Sequence, residues 1–251
     1  MRVLVLSDIH ANLEALEACL NAAPAYDQLY NLGDIVGYGA NPNEVTARSH
    51  ELGSVFVRGN HDKACSGISN LDDFNPIAGL AALWTRRQLQ PDHLQFLREL
   101  PQGPAMPLEN VQLVHGSPRD EDEYVLMPRE AFYLLAHTAP PITFFGHTHV
   151  QGGFWINDEA EREGSLQPQY SSPSGPQKLT LELDLSGRYL INPGSVGQPR
   201  DYDPRAAFLV YDTEANSITF YRVPYDIERA QQKIISAGLP ERLATRLAEG
   251  R

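Results

Sequence analysis

Val3-Leu4-Val5-Leu6-Ser7-Asp8-Ile9-His10, with Leu13, Leu16 and Leu20 following at helical spacing, is the stretch whose reading decides the fold. A four-residue apolar run, a polar cluster and a helix-period segment, in that order, predict strand, turn and helix. Related units recur downstream. Gln28 to Leu32 reads as a strand before Gly33-Asp34, and Pro42 opens a helix ending near Gly53. Ser54 to Val57 leads into Gly59-Asn60-His61-Asp62. Val111 to Val114 precedes His115-Gly116, and Arg129 to His137 has a helical pattern. Ile142 to Phe145 precedes Gly146-His147-Thr148-His149. Residues 76–100 read as helix in two pieces divided at Pro91, with Ile77, Leu80 and Trp84 marking the apolar face of the first. Strand alternating with helix predicts parallel strands joined by crossovers.

The second half has a different rhythm. Gln151 to Ile156 can form a strand, while residues 157–177 are polar and turn-rich and read as a surface loop. Leu179 to Leu185 alternates strictly, as a half-buried strand does. Arg188 to Ile191, Ala207 to Tyr211 and Ser217 to Tyr221 are further strands. Tyr225 to Arg251 reads as two helices broken at Gly238-Leu239-Pro240. Strands in both halves and no strong linker predict a single α/β domain over residues 1–251 with two packed sheets. Within it, 64–110 is a helical, cap-like segment; it and the 157–177 loop are candidates for the walls of a cleft.

The 251 residues carry 20 basic and 32 acidic side chains, a net charge of −12. Non-specific nucleic-acid binding is not expected, because it rests on lysine and arginine neutralising phosphates. The two cysteines, Cys19 and Cys65, rule out a disulfide scaffold. Cys19 falls on the apolar side of the first helix. Cys65, four residues after His61, could reach the cleft, although a buried, inert thiol is the preferred reading. No signal-peptide pattern and no run of about 18 apolar residues occurs, so no membrane contact and a cytoplasmic setting are expected. Oligomeric state leaves no mark in the sequence.

Ligands in α/β sheets sit outside the carboxyl ends of the strands, so all five polar clusters are expected to converge at one edge of one sheet. The set combines four imidazoles (His10, His115, His147, His149), two carboxylates (Asp8, Asp34) and the Asn60 amide. Imidazole suits zinc, copper, iron and nickel, whereas carboxylate and carbonyl oxygens suit harder ions such as manganese. Seven ligands exceed one tetrahedral site and suit two neighbouring metals sharing a carboxylate. Two divalent ions, less two aspartates and one hydroxide, leave the site positive inside an acidic chain, so an anionic phosphate is the natural guest.

This ordered set resembles the calcineurin-like metallophosphoesterase superfamily: Asp-x-His, Gly-Asp, Gly-Asn-His, a histidine and Gly-His-x-His, each behind a strand, over residues 8–149. Asn192-Pro193-Gly194-Ser195 resembles a segment of its bacterial branch, although Ser195 itself reads as part of a turn. The resemblance implies two mixed β-sheets packed face to face and flanked by helices, a four-layer α/β/β/α sandwich. It implies two divalent transition-metal ions (manganese, iron, zinc or nickel), with Asp8, His10 and His149 on the first, Asn60, His115 and His147 on the second, and Asp34 bridging. A metal-bridging hydroxide would attack a small phosphate ester, a phosphodiester or nucleotide. His61 would donate a proton to the leaving oxygen or bind a phosphoryl oxygen, and Asn12 would touch the phosphate.

Gly37 and Tyr38 stand where protein Ser/Thr phosphatases place Asp-Arg, and where purple acid phosphatases place a tyrosine ligand at the first position. The carboxylate that orients the acid histidine in the former is therefore missing, with Asp62 a speculative substitute. Gly33 to Gly39 looks more like small bacterial phosphodiesterases, several of which carry a diadenosine-tetraphosphatase label that does not itself fix the substrate. Tyr38 is a candidate to stack on a base at the cleft rim. Arg200, with Arg58, Arg119 and Arg205, is a candidate to reach substrate. His50, His93 and His137 lack strand-end placement and read as surface residues. The alternatives are a non-catalytic binding module on this fold, as in the retromer subunit that has lost the Gly-Asn-His histidine, a protein phosphatase, or a repair nuclease. Intact His61 and ligand positions favour the enzyme.

Overall fold

The computed structural model describes residues 1–72, 74–137, 140–184 and 186–251. Leu185, the last residue of the alternating segment, and Asp73, inside the 64–110 segment, lie outside the described residues. The first half runs β1 (Arg2–Leu6), α1 (Leu13–Ala22), β2 (Gln28–Asn31), α2 (Pro42–Glu51), β3 (Val55–Phe56), α3 (Asn60–Ser66), α4 (Pro76–Gln88), α5 (Pro91–Glu99), β4 (Ala105–Leu108), β5 (Val111–Leu113), α6 (Pro128–His137) and β6 (Ile142–Phe144). The second half adds β7 (Gly152–Asn157), β8 (Arg162–Leu166), β9 (Gln177–Glu182), β10 (Arg188–Asn192), β11 (Ala206–Asp212), β12 (Ser217–Val223), α7 (Ile227–Ser236) and α8 (Glu241–Glu249).

These strands form two six-stranded mixed sheets, ordered β3-β2-β1-β11-β12-β9 and β4-β5-β6-β10-β7-β8. The continuous apolar run of β1 has a direct cause. Val3 and Val5 point into the core between the sheets, with Tyr30, Leu113, Phe144, Leu209 and Tyr211. Leu4 and Leu6 point to the opposite face, against Leu16 and Cys19 of α1. A strand covered on both faces cannot alternate. Beyond the second sheet, Ala131, Leu134 and Leu135 of α6 cover Val114, Phe145 and Leu190. The layers are therefore helix, sheet, sheet, helix. Among the described residues, no helix is long and apolar enough to cross a membrane.

Three expectations need correction. The 157–177 stretch contains strand β8, which pairs with β7 alone at the sheet's edge and is largely exposed, so its polar sequence carries no apolar signature. Its Ser165, Leu166 and Gln167 border a cavity on the outer side of the second sheet, away from His61 and Asn60. The 64–110 segment is not wholly helical, because Ala105–Leu108 is edge strand β4, paired to β5 across an irregular register. On α4 the buried face is made of Ala78, Ala81, Ala82 and Thr85, with Ile77 and Trp84 half-buried and Leu80 57% exposed. Small residues let the helix pack closely, so the large side chains sit at the margin.

Phe144→Ala should cost about 3–5 kcal/mol, because the ring is fully buried between the sheets. Leu80→Ser should change stability by less than ~0.5 kcal/mol. Urea unfolding of the two variants checks both values.

Candidate metal centre

β1, β2 and β3 run parallel, as do β5, β6 and β10, so the clusters that follow them emerge at strand carboxyl ends. The expectation of one sheet edge is wrong: Asp8, Asp34 and Asn60 follow strands of the first sheet, whereas His115, His147 and His149 follow strands of the second. The site forms across the mouth of the sandwich. Gly146 marks where the two sheets' loops meet, since a Cβ there would lie 2.1 Å from Ser7 Oγ.

Backbone bonds lock the turns together. Asp8 N donates to Gly33 O (3.0 Å), His10 N to Asp34 O (2.9 Å) and Gly146 N to His115 O (2.8 Å). Asn192 Nδ2 donates to Gly146 O, and Ser195 Oγ donates to Asp8 O (2.8 Å) while accepting from Gln198 N. The Asn-Pro-Gly-Ser turn thus ties the Asp8 turn to the His147 turn. Asp8, His10, Asp34, His147 and His149 all have φ between 50° and 65°. Left-handed backbone costs roughly 1–2 kcal/mol per non-glycine residue, and such strain concentrates at functional sites.

Donors are set against acceptors in a way that leaves one direction unsatisfied. Nδ1 of His10, His115 and His149 lies 3.2, 2.8 and 2.5 Å from the carbonyls of Val36, Leu32 and Gln198. Each Nδ1 therefore carries the proton, and each Nε2 presents a lone pair inward. His10 Nε2 and His149 Nε2 then face one another at 3.0 Å. His115 Nε2 lies 3.1 Å from His147 Nδ1 and 3.3 Å from Asn60 Oδ1. Asp8 Oδ2 accepts from Ser7 Oγ (2.6 Å) and His147 N, while its Oδ1 has no hydrogen-bond partner and lies 3.2 Å from His149 Nε2. Asp34 gives Oδ1 to His61 N (2.8 Å). Its Oδ2 also lacks a hydrogen bond and lies 3.6 Å from His10 Nε2 and 3.5 Å from His115 Nε2.

Inward-facing lone pairs at these distances repel unless cations lie among them. The donor atoms fall into two groups, Asp8-His10-Asp34-His149 and Asp34-His115-His147, each within 4.8 Å and sharing Asp34. The nitrogen and oxygen donor set fits divalent transition metals. Titration behaviour agrees with a centre short of positive charge. Burial pushes the Asp34 carboxyl well above its ordinary value, and the nearby Asp8 adds to it. Burial opposes ionisation of Asp8 too, but His149, His115 and His10 hold it well below the carboxylate range. Burial lowers His10, and burial with neighbouring His115 takes His147 down to about 2. His10, His147 and His149 are thus held in the neutral form that ligates, whereas at His115 burial is outweighed by the Asp34 and Asp8 carboxylates, which push it above the ordinary imidazole range.

The remaining candidates separate. His61 is buried, its ring 4.3 Å from Tyr38, 4.8 Å from Phe74 and 4.9 Å from His10. Asp62 does not orient it. Its carboxylate instead accepts from the backbone of Asp34 (2.8 Å), Ile35 (2.9 Å), Val36 and Gly59 (3.0 Å), bracing the Asp34 turn. His61 is seated by packing, and Gly37 makes room for it, since a Cβ there would lie 2.5 Å from His61 Nδ1. Asn12 is turned to structural work: Oδ1 caps α1 at Ala15 N and Nδ2 donates to Gly197 O, so a role in touching phosphate is not supported. Tyr38 is 6% exposed rather than a rim residue. Arg200 lies over its ring at 5.8 Å and donates to its hydroxyl (3.4 Å).

Arg58 is engaged by Glu121, Arg119 by Glu123 and Arg205 by Asp203, which removes all three as candidates for substrate contact. Cys19 and Cys65 are both fully buried, and burial pushes both thiols up. His50 and His137 are exposed; His93 is half-buried and bonds Asn43. Two residues were invisible to motif reading. Tyr124, 48% exposed in an acidic loop without periodicity, stacks on His147 at 3.8 Å. Phe74 closes the far side of His61. Both line a cavity of about 350 Å³ with Asn60, His61 and His147. Ser69, Asn70, Phe74, Asn75 and Ala78 supply part of its wall, so that fraction of the 64–110 segment does face the cleft.

Comparison with known proteins gives a consistent picture. The sequence profile of the calcineurin-like phosphoesterase superfamily domain matches residues 1–216. An uncharacterized protein of Methanocaldococcus jannaschii is 37% identical over 255 aligned positions, covering 99% of this chain and 98% of that protein. The crystal structure of a metallophosphoesterase from Sphaerobacter thermophilus superposes with a TM-score of 0.82 at 43% identity, covering 100% of this chain and 99% of that one. A hypothetical protein from Pyrococcus horikoshii OT3 shares the fold with a TM-score of 0.77 at 20% identity, covering 100% and 98%.

Asp34→Asn should weaken binding of divalent metal at both donor groups together, whereas Asn60→Ala should weaken only one. Elemental analysis of dialysed variants reads this. Gly37→Ala should displace the His61 ring and leave metal content at the wild-type level.

Proposed function

The chain belongs to the calcineurin-like phosphoesterase superfamily, and on that premise we propose that it is a dinuclear-metal-dependent phosphoesterase acting on a small phosphate ester, a phosphodiester or nucleotide. The observation that carries this reading is the inward convergence of unpaired acceptor atoms from both sheets upon Asp34 Oδ2. Asp8, His10 and His149 would hold one ion, Asn60, His115 and His147 the second, and Asp34 both. Bound divalent ions (manganese, iron, zinc or nickel) would supply Lewis-acid polarisation of the phosphoryl oxygens and an activated water. No membrane or nucleic-acid surface enters this reading, and a cytoplasmic setting suits an acidic chain with two free, buried cysteines.

The protein's own groups do the positioning. Carbonyls of Val36, Leu32 and Gln198 hold the imidazoles in the ligating tautomer. His61 Nδ1 is buried beside Gly37 without a polar partner, so exchange with a ligand in the cavity falls to Nε2. Burial, then Arg200 and the neighbouring histidines, pushes His61 well below the ordinary imidazole range. His61 is therefore neutral before substrate arrives, and the negative charge of a phosphate raises its proton affinity at the moment an acid is needed. Among the described residues Arg200 has no carboxylate partner, and its Nε is buried and unpaired, which suits it to a phosphoryl oxygen. With the Tyr38 ring packed between His10 and His61, base stacking falls to Tyr124 instead.

The test is a substrate panel on the metal-reconstituted protein. Bis-aryl phosphate, cyclic nucleotides and dinucleoside polyphosphates should be turned over faster than phosphopeptides. No turnover of any ester with any of the four metals would contradict the enzyme reading and leave a binding module. His61→Gln should keep its metal and slow esters with alkoxide leaving groups by ~10²–10⁴-fold. The loss should be small for nitrophenyl esters, whose leaving group departs without a proton. Equal losses on both would assign His61 to phosphate binding.

A further inference from the structure

Next to the metal-centre cavity runs a second, larger groove of about 1010 Å³, reached past Tyr38 and Asn75, which line both. One wall is the start of α4. The other is α8, which presents Arg242 and Arg246, with Arg251 just beyond. Arg200 lies between His149 and Tyr38: its backbone N donates to His149 O (3.2 Å) and its guanidinium reaches Tyr38 Oη. None of Arg200, Arg242 and Arg246 is paired with an aspartate or glutamate side chain among the described residues; Arg246 Nε donates to the main-chain oxygen of Arg251, the last residue of the sequence (2.5 Å), which leaves Arg242 and the terminal nitrogens of Arg246 to face the groove. The two acids of the groove do not neutralise them. Glu249 is 3.8 Å from Arg251, and Glu241 sits in the first turn of α8, where the helix dipole favours it. Arginines without aspartate or glutamate partners stand out in a chain of net charge −12.

We propose that this groove binds a second phosphate group of the same small substrate, held by Arg242 and Arg246 while the scissile phosphate lies at the metal centre. The inference rests on the phosphoesterase reading of that centre. Guanidinium groups bind phosphate oxygens bidentately through charge-assisted hydrogen bonds, and the exposed Arg242 is free to turn towards a ligand in the groove. Burial, with Arg200 and Arg242 nearby, already depresses the Arg246 pKa, as expected where like charges await an anion. The substrate class is thus a molecule bearing two phosphates, one in the ester that is cut and one outside it.

Calorimetric titration of the metal-loaded full chain with propane-1,3-diphosphonate and with propylphosphonate provides the test, since the probes differ by one anionic group and neither is hydrolysed. Wild type should bind the diphosphonate at least about ten-fold more tightly, and raised salt should erode that advantage. Arg242→Gln/Arg246→Gln should lose the advantage. The single charge reversal Arg242→Glu, at an exposed position, should lose most of it even if the double variant folds poorly. Equal affinity of the wild type for both probes, or an advantage that survives in Arg242→Glu, would overturn the groove proposal and leave the metal-centre reading standing. Failure of both probes to bind wild type would remove phosphate recognition at the centre itself, and this inference with it.

Discussion

Asp34 holds the site in its present form through a division of labour between two oxygens. Oδ1 takes the backbone N–H of His61 and fixes the carboxylate; Oδ2 is left facing His10 and His115 with nothing to bond. Around it gather Asp8 Oδ1, which also lacks a hydrogen bond, the Nε2 atoms of His10, His115 and His149, and the Asn60 amide oxygen. A buried polar atom without a partner costs about 1–3 kcal/mol, a cost that bound cations would remove. The rest of the architecture follows from keeping these atoms where they are.

Neither sheet alone supplies the full donor set. The first brings both carboxylates, His10 and the amide; the second brings the other three imidazoles. Packing the sheets face to face through Val3, Val5, Phe144 and Tyr211 places their carboxyl ends side by side. The turns are then joined by Asn192, Ser195 and the Asp62 carboxylate, which occupies the backbone of residues 34–36. Five of these donor residues are in left-handed conformations, strain that this bracing holds in place. The inter-sheet core, the buried polar ties and the metal centre are in this sense one device.

Much of this was legible in the sequence. β1 and the clusters after each strand carry strong local signals: buried strands lose their alternation, and ligand chemistry demands particular residue types. Pairing of strands into sheets has no such local signal, so the clusters were expected on one sheet when they lie on two. Edge strands β4 and β8 were missed because exposed, polar strands resemble loops. Leu80 was misplaced because α4 buries alanines and leaves its leucine outside. Arg58, Arg119 and Arg205 stand out on residue type alone and Asn12 through the family resemblance, and three-dimensional partners engage each of them. Tyr124 carries no motif, and only its stacking on His147 brings it into view.

The measurement that bears most directly on the central claim is anomalous scattering from a crystal of the protein grown with saturating manganese. Two peaks should appear, separated by about 3.5–4 Å, with Asp34 Oδ2 within ligand distance of both. A single peak at saturation, or two peaks that do not share Asp34, would contradict the account.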